Sequence, residues 1–400
     1  MPRILLTDGE QRSTLAATRS LGRGGHEVMV ASAVPRPLAG ASRFCHRACA
    51  IPDPSRDPAA FGTELTRICE SEGVELILPM TDVSATVVLP LRPSLGETRI
   101  VFPDADAYAA VSDKQGLLAA AASLGVPVPA QLTLTTRAAA LEMLEGGSVS
   151  LTFPQVLKPA RSAVDGGQGV EKFGVSVAAG PEDLRSLLAQ YPDSAYPILL
   201  QEQIRGAGLG AFALFWDGEP YAWFAHRRIR EKPPTGGVSV YREGVELRED
   251  LKEYATRILR HFGWSGVAMV EFKEDAATGT PYLMEVNGRF WGSLQLAIDS
   301  GVDFPDLLVR LAMGDDVGPV TGFRPGVRSR WLWGDVDHVI ALLRHGRRYR
   351  ATHADLPGAL GALGRFLVPW RPGDRFEVLR ASDPRPFLRE TAQWFGALRG

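Results

Sequence analysis

The chain has 400 residues and a mass of 43.3 kDa, which is more than one hydrophobic core usually spans, so more than one domain is expected. Hydrophobic residues make up 45% and charged residues 22%, a composition that excludes a largely disordered protein. The net charge is −2 and there are only 3 cysteines, so we expect a cytoplasmic protein without a disulfide framework. No apolar run approaches the roughly 18 residues of a membrane span, and no membrane partner is expected.

Short apolar strands alternate with helical stretches over the first 105 residues. Strands are predicted at 3–7, 27–32, 74–79 and 98–102, and helices at 13–22 and 59–72. This alternation is typical of parallel strands in an open sheet, so the fold class is α/β. Gly9 follows the first strand, at the sheet edge where such folds bind ligands, although a tight turn explains this glycine equally well.

The middle of the chain changes to strand-like alternation with glycine turns. A helix at 115–124 opens behind Ser112 and Asp113 and stops at Gly125. Strands follow at 153–158, 172–177, 197–204, 211–216 and 221–228, then a helix at 248–262, a hairpin of 266–273 with 281–287, and a helix at 293–300. Residues 321–400 hold fourteen arginines and no lysine against seven acidic residues, so they predict a small basic appendage with a solvated or domain-contacting face.

The hairpin carries the strongest local signal. A symmetric antiparallel pairing sets Glu271 opposite Glu285, and like charges directly across a sheet are destabilising. A divalent cation between them removes the conflict, and carboxylate oxygens are ligands that magnesium takes. Strand alternation then puts Glu285, Asn287 and Arg289 on one face. A shifted register that exposes both glutamates to water is the alternative.

Lys158 ends an apolar strand and precedes a glycine-bearing loop over residues 162–169. The backbone amides of such a loop can approach a phosphate while the ammonium supplies charge, although strand ends also often carry a solvated lysine. The sequence Gly206-Ala-Gly208-Leu-Gly210 is not a dinucleotide fingerprint, because a strand is predicted after it and not a helix. No Walker-type phosphate loop occurs in the chain.

Residues 1–315 resemble the ATP-grasp superfamily, in particular its carbamoyl-phosphate-synthase-like and predicted carboxylate–amine ligase branch. Five stretches carry the resemblance in the same order over about 200 residues: Ser-Asp-Lys114 with its helix, Val-Leu-Lys158-Pro with the glycine loop, Leu-Gln-Glu202-Gln-Ile-Arg-Gly206, Val-Glu271-Phe, and Met-Glu285-Val-Asn287-Gly-Arg289-Phe-Trp. The family commonly has proline after the metal-binding asparagine, where this chain has Gly288.

The resemblance implies an organisation in four parts. Residues 1–105 would form a pre-ATP-grasp α/β domain, and two ATP-grasp subdomains would follow. The first, 106–200, would hold the phosphate lysines and the glycine loop, and the second, 201–320, the metal and catalytic residues. Residues 321–400 would be the basic appendage.

The resemblance also implies a role for individual residues. Lys114 and Lys158 would hold ATP phosphates, and the loop with Ser162, Gly166, Gly167 and Gly169 would close over them. Glu202, Gln203 and Ile204 would form the adenine hinge, with Gly208 near the ribose. Glu271, Glu285 and Asn287 would bind one or two Mg²⁺ ions, or Mn²⁺ in their place. Arg289, Arg228 and Lys232 would be catalytic, with Arg289 stabilising the acyl-phosphate.

The leading hypothesis is an ATP- and magnesium-dependent ligase that activates a small carboxylate as an acyl-phosphate and joins it to an amine. Two alternatives stay open: an ATP-grasp kinase that phosphorylates a non-carboxylate acceptor, and a nucleotide-binding protein whose arginine-rich tail contacts RNA. We do not expect a nucleic-acid partner under the leading hypothesis, and a homodimer is the expectation from the family.

Overall fold

A computed structural model describes residues 1–146, 152–161, 163–165, 170–353, 356–367 and 373–398. Within these ranges no helix combines the length and the apolar character that crossing a bilayer requires. The strands form three main sheets and one small ribbon. The predicted α/β fold is confirmed.

The amino-terminal sheet is parallel throughout, with the strand order β3-β2-β1-β4-β5. Its strands are β1 (Arg3–Leu6), β2 (Glu27–Ser32), β3 (Arg47–Ala50), β4 (Leu76–Leu78) and β5 (Arg99–Ile100), and its helices are α1 (Arg12–Arg23), α2 (Pro58–Glu72), α3 (Asp82–Val88) and α4 (Ala105–Ser112). The central strands are apolar on both faces because helices cover both faces of the sheet. Helix α3 begins just after β4, so its start lies at the carboxyl edge of the sheet, and the side chain of Thr81 caps it.

The second sheet is antiparallel, with the order β10-β7-β11-β6. Its elements are α5 (Lys114–Ser123), β6 (Gln131–Leu134), α6 (Arg137–Glu145), β7 (Gln155–Pro159), β10 (Ser176–Ala178), α7 (Pro181–Gln190) and β11 (Ile198–Glu202). Between β7 and β10, β8 (Ala163–Asp165) and β9 (Val170–Lys172) pair as a separate antiparallel ribbon. Apolar side chains from this sheet and from α6 and α7 form a small core of their own.

The third sheet has seven strands in the order β16-β15-β12-β13-β14-β17-β18. Its elements are β12 (Gly208–Trp216), β13 (Glu219–Lys232), β14 (Val238–Gly244), α8 (Glu249–His261), β15 (Gly266–Glu274), β16 (Pro281–Asn287), α9 (Leu294–Ser300), α10 (Phe304–Met313), β17 (Arg328–Arg330), α11 (Leu332–Thr352), α12 (Ala359–Leu367), β18 (Asp374–Phe376) and α13 (Arg385–Ala397). Both faces of β12 are buried, because Ala211 and Ala213 pack into one core while Phe212 and Leu214 pack into another.

The four-part division of the chain stays a prediction, but part of the last eighty residues belongs to the seven-stranded sheet. β17 pairs antiparallel with β14, and β18 pairs parallel with β17. The same region also reaches the amino-terminal sheet, because Arg19 on α1 donates to Asp383 (Nε to Oδ2, 2.9 Å) and to the carbonyl oxygen of Val378. The carboxy-terminal region therefore contacts both the amino-terminal sheet domain and the seven-stranded sheet.

The Arg19–Asp383 contact predicts a specific stability effect. Arg19 and Asp383 expose only 2% and 1% of their side chains, so Arg19→Met would leave a buried carboxylate without its charged partner. We expect the substitution to lower the free energy of unfolding by about 3–5 kcal/mol, as measured by chemical denaturation. Arg67→Met removes an arginine whose ion pair with Glu64 is exposed, and it should change stability little. Equal effects of the two variants would contradict a stabilising role for the buried contact.

Candidate functional site

Two glutamates face each other at the edge of the seven-stranded sheet. The register of β15 and β16 pairs Glu271 directly with Glu285, which confirms the predicted pairing. A bulge follows at once, since Phe272 pairs with Leu283 and Met284 is the additional residue. Close approach of two partly buried carboxylates requires positive charge nearby.

Each glutamate is compensated by a cation from another part of the chain. Arg228 on β13 donates through Nη2 to Oε2 of Glu271, and Lys114 Nζ lies 3.8 Å from Oε2 of Glu285. Burial raises the pKa of Glu271 in spite of Arg228. Burial alone would also raise the pKa of Glu285, but Lys114, the Asn287 amide and Lys158 hold it below its usual value.

The two predicted phosphate lysines lie beside this pair. Lys114 is the first residue of α5, where Asp113 caps the helix, and its backbone N–H donates to the carbonyl of Ala160 after β7 (2.9 Å). Lys158 on β7 places Nζ 3.7 Å from the sulfur of Met284. Burial lowers the pKa of Lys158, while Glu285 and Glu271 counteract that shift. An anionic phosphate next to Lys158 would favour the charged form of its ammonium group.

Arg289 extends the site toward the amino-terminal sheet. Its Nη2 donates to Oδ1 of Asn287 (3.0 Å), and Nδ2 of Asn287 donates to Oε1 of Glu285 (3.1 Å). On the other side, Nε of Arg289 donates to Oδ2 of Asp82 (2.9 Å). Burial alone would lower the pKa of Arg289, but Asp82 raises it. We call the seven residues of this site the charge cluster: Lys114, Lys158, Arg228, Glu271, Glu285, Asn287 and Arg289.

Asp82 and Tyr108 adjoin the charge cluster and were not among the predicted site residues. Asp82 begins α3 and also accepts a hydrogen bond from the Tyr108 hydroxyl (2.9 Å). Burial would raise the pKa of Asp82, and Arg289 brings it below its ordinary value. A signal was present, because Asp82 follows a buried parallel strand at the edge where ligands bind. Its partner Arg289 lies 207 residues away, and nothing in the local sequence indicates that partner.

Gly288 has a structural reason to replace the proline that is common in the family. A Cβ atom at this position would lie 2.3 Å from Cη2 of the Trp264 ring, and Trp264 is fully buried. The turn between Asn287 and Arg289 therefore packs directly against an indole. Any side chain at position 288 would push this turn or the tryptophan out of place.

The expected nucleotide residues lie where the second and third sheets meet. Glu202 ends β11 with an exposed side chain, Ile204 is buried, and Oε1 of Gln203 is buried without a hydrogen-bond partner among the described residues. Gly208 begins β12, where a Cβ atom would lie 3.2 Å from Cδ of Arg228. Glu202, Gln203, Ile204 and Gly208 keep their nucleotide-binding roles as predictions. Ser162, Gly166, Gly167 and Gly169 lie outside the described residues.

Lys232 does not contact the charge cluster. Its ammonium pairs with Asp337 on α11 and lies 5.4 Å from the centroid of the Trp331 ring. Arg228, four residues earlier on the same strand, points instead toward Glu271 and Glu231. Lys232 therefore makes no contact with the other five residues predicted to be catalytic or to bind metal, and its catalytic role stays a prediction.

The donor set suits a hard divalent cation. It offers two carboxylates and one amide oxygen, and Mg²⁺ is commonly held by one or two carboxylates together with phosphate oxygens and water. No group of three or more His, Cys, Asp or Glu side chains in the described ranges could hold a metal ion. Ligands from a nucleotide would thus have to complete the coordination at Glu271, Glu285 and Asn287.

Comparisons with known proteins agree with this architecture. Residues 197–334 match a family model described as ATP-grasp in the biosynthetic pathway with Ter operon. None of the curated proteins matches the sequence.

Solved structures resemble the fold at low identity. An ADP complex of N5-carboxyaminoimidazole ribonucleotide synthetase has a TM-score of 0.64 at 14% identity over 87% of this chain and 85% of that one. The biotin carboxylase domain dimer of Hydrogenobacter thermophilus 2-oxoglutarate carboxylase, in complex with MgADP, ADP and bicarbonate, has a TM-score of 0.62 at 15% identity over 82% and 73%. An L-amino acid ligase from Bacillus licheniformis has a TM-score of 0.59 at 15% identity over 80% and 78%. The chain therefore has the fold of the ATP-grasp superfamily, which confirms the resemblance seen in the sequence.

Glu285→Gln tests the charge cluster as a magnesium site. The substitution removes one charged oxygen ligand, so we expect the increase in melting temperature that ATP gives in the presence of Mg²⁺ to be largely lost. The apoprotein should not become more stable, because the substitution also removes the attraction between Glu285 and Lys114.

The matched control is Glu274→Gln, three residues beyond Glu271 on the same strand, where the carboxylate pairs with Arg248. It should keep the magnesium-dependent shift of the wild type. An unchanged shift in Glu285→Gln would contradict the assignment of this glutamate to the metal.

Proposed function

We propose that the protein is an ATP- and Mg²⁺-dependent ligase that activates a carboxylate as an acyl-phosphate and joins it to an amine. The observation that carries the proposal is the charge cluster itself. Four cations from four separate segments converge on two facing glutamates and an asparagine. This combination offers places for phosphate, for a divalent cation and for a second anion within one site.

In this proposal the two lysines bind the phosphates of ATP, and Arg289 binds the acyl-phosphate. Lys114 and Lys158, from α5 and β7, lie on the side of the second sheet, next to the loop expected to cover the phosphates. Arg289 lies on the side of the amino-terminal sheet, where Asp82 holds its guanidinium through Nε. Its Nη groups bond Asn287 and the Phe290 carbonyl, so the group is fixed before any substrate binds. Preorganised charge of this kind stabilises a transition state without a reorganisation cost.

The chemistry follows from the poor leaving group of a carboxylate. A carboxylate oxygen would attack the γ-phosphorus of ATP, and ADP would leave with the electron pair of the broken P–O bond. The amine nitrogen would then attack the acyl carbon, phosphate would leave, and the nitrogen would lose a proton. Bound Mg²⁺, held by Glu271, Glu285 and Asn287, would neutralise phosphate charge. Arg289 and the two lysines would bind and orient the charged groups.

An ATP-grasp kinase acting on a non-carboxylate acceptor remains the alternative within the same site. The relatives reported above include an L-amino acid ligase, which supports the ligase over the kinase. The RNA-binding alternative gains no support, because several tail arginines are already paired within the protein. Arg328 pairs with Glu243, Arg330 with Asp335 and Arg380 with Asp299.

Trapping of the intermediate distinguishes the ligase from the kinase. A screen of carboxylate and amine pairs by ADP release identifies a substrate. With that carboxylate, ATP and Mg²⁺ but no amine, hydroxylamine should then yield a hydroxamate together with ADP. Arg289→Ala should lower the rate of hydroxamate formation by roughly 10²–10³-fold, the range for removal of one preorganised donor, and change ATP binding much less.

Arg227→Ala is the matched control for this experiment. Arg227 adjoins Arg228 on β13 but pairs with Glu243, away from Glu271, so its variant should form hydroxamate at close to the wild-type rate. A stable phosphorylated product without hydroxamate would favour the kinase. Equal loss in both variants would contradict the role of Arg289.

A further inference from the structure

One helix of the carboxy-terminal region presents leucines away from the protein. On α12, Leu360, Leu363 and Leu367 follow the i, i+3, i+7 spacing of a single helix face, and Leu360 exposes 86% of its surface. The opposite face of α12 holds the helix to the protein: Ala362 is buried, and Phe366 packs under the guanidinium of Arg330. We call Leu360, Leu363 and Leu367 the leucine face.

Positive charge predominates on α11 and α12, the two helices at the leucine face. The described residues between Asp337 and Asp374 include five arginines and no acidic residue. Arg344, Arg347 and Arg348 are exposed on α11, the helix on which α12 packs, and Arg365 is exposed on α12 itself. Leu343 on α11 is also more than half exposed. Apolar side chains that project from a basic surface match the pattern of helices that lie in the interface of an anionic bilayer.

From this geometry we infer that α12 and the adjoining part of α11 dock on an anionic membrane surface. The leucines would enter the boundary between headgroups and acyl chains, and the arginines would contact lipid phosphates. This differs from the expectation of no membrane partner, which rested on the lack of an apolar span. An interfacial helix needs only one apolar face and no span.

Two other occupants fit the surface less well. If the leucine face paired with the same face of a second copy, the exposed arginines on α11 and α12 of both copies would come close together. Their like charges would repel each other. A nucleic acid would bind the arginines but would leave the leucines in water, since it offers them no apolar surface. A bilayer of anionic lipid satisfies both the apolar and the charged parts of the surface.

Vesicle co-sedimentation with the full chain tests the inference. One set of vesicles is phosphatidylcholine alone, and the other is an equimolar mixture of phosphatidylcholine and phosphatidylglycerol. We expect binding to the mixed vesicles to exceed binding to the neutral ones by about tenfold or more, and to weaken as salt is raised.

The double variant Leu360→Glu/Leu363→Glu should lose most of the binding to mixed vesicles while keeping the melting temperature, because both side chains are exposed. The matched control is Leu388→Glu/Leu398→Glu, which changes two exposed leucines on and just after α13 and should bind like the wild type. Equal loss in both double variants, equal binding to both kinds of vesicle, or no binding at all would overturn the inference. Dimerisation that the first double variant abolishes, in a wild type that does not bind vesicles, would assign the face to a second copy.

Discussion

The close pairing of Glu271 and Glu285 is the constraint on which the rest of the site depends. Two carboxylates directly across a hairpin are unfavourable when buried, unless cations reach them. In this protein the cations come from α5, β7 and β13, so the second sheet must pack against the edge of the third one before the pair is compensated. Lys114 and Lys158 would bind phosphate, while the two glutamates with Asn287 would bind the metal. The fold therefore holds the charged groups of the proposed ligand-binding site in place before a ligand binds.

The amino-terminal sheet and the carboxy-terminal region both support the charge cluster through side-chain contacts. Asp82, at the edge of the amino-terminal sheet, holds Arg289 and through it the amide of Asn287. The carboxy-terminal region in turn fastens that sheet through Arg19 and Asp383. The carboxy-terminal region also joins the seven-stranded sheet directly, through the pairing of β17 with β14 and the ion pair of Glu377 with Arg242. The packing of the two ends of the chain is therefore connected to the charge cluster through side-chain contacts and paired strands.

Local patterns in the sequence were enough to predict the parallel sheet and the pairing of the two glutamates. The alternation of residues 1–105 indicated the parallel sheet, and the short hairpin loop indicated the Glu271–Glu285 register because few residues separate the strands.

The contacts that could not be predicted join distant segments. β17 and β18 have three residues each and carry no periodicity of their own, so only their partners identify them as strands. Arg228 and Lys232 look alike in sequence, but the bulged register of β13 sends them to different partners. The leucines of α12 match a core helix in sequence, and only the packing of α12 on α11 shows that they face outward.

A crystal structure of the protein with a non-hydrolysable ATP analogue and Mn²⁺ would locate both the metal and the phosphates. Manganese takes the oxygen ligands that magnesium takes, and its anomalous scattering locates it independently of the surrounding atoms. We expect an anomalous peak bound by Glu271, Glu285 and Asn287, with the phosphates of the analogue between Lys114 and Lys158. A nucleotide bound elsewhere, or a metal peak away from these three side chains, would contradict this expectation.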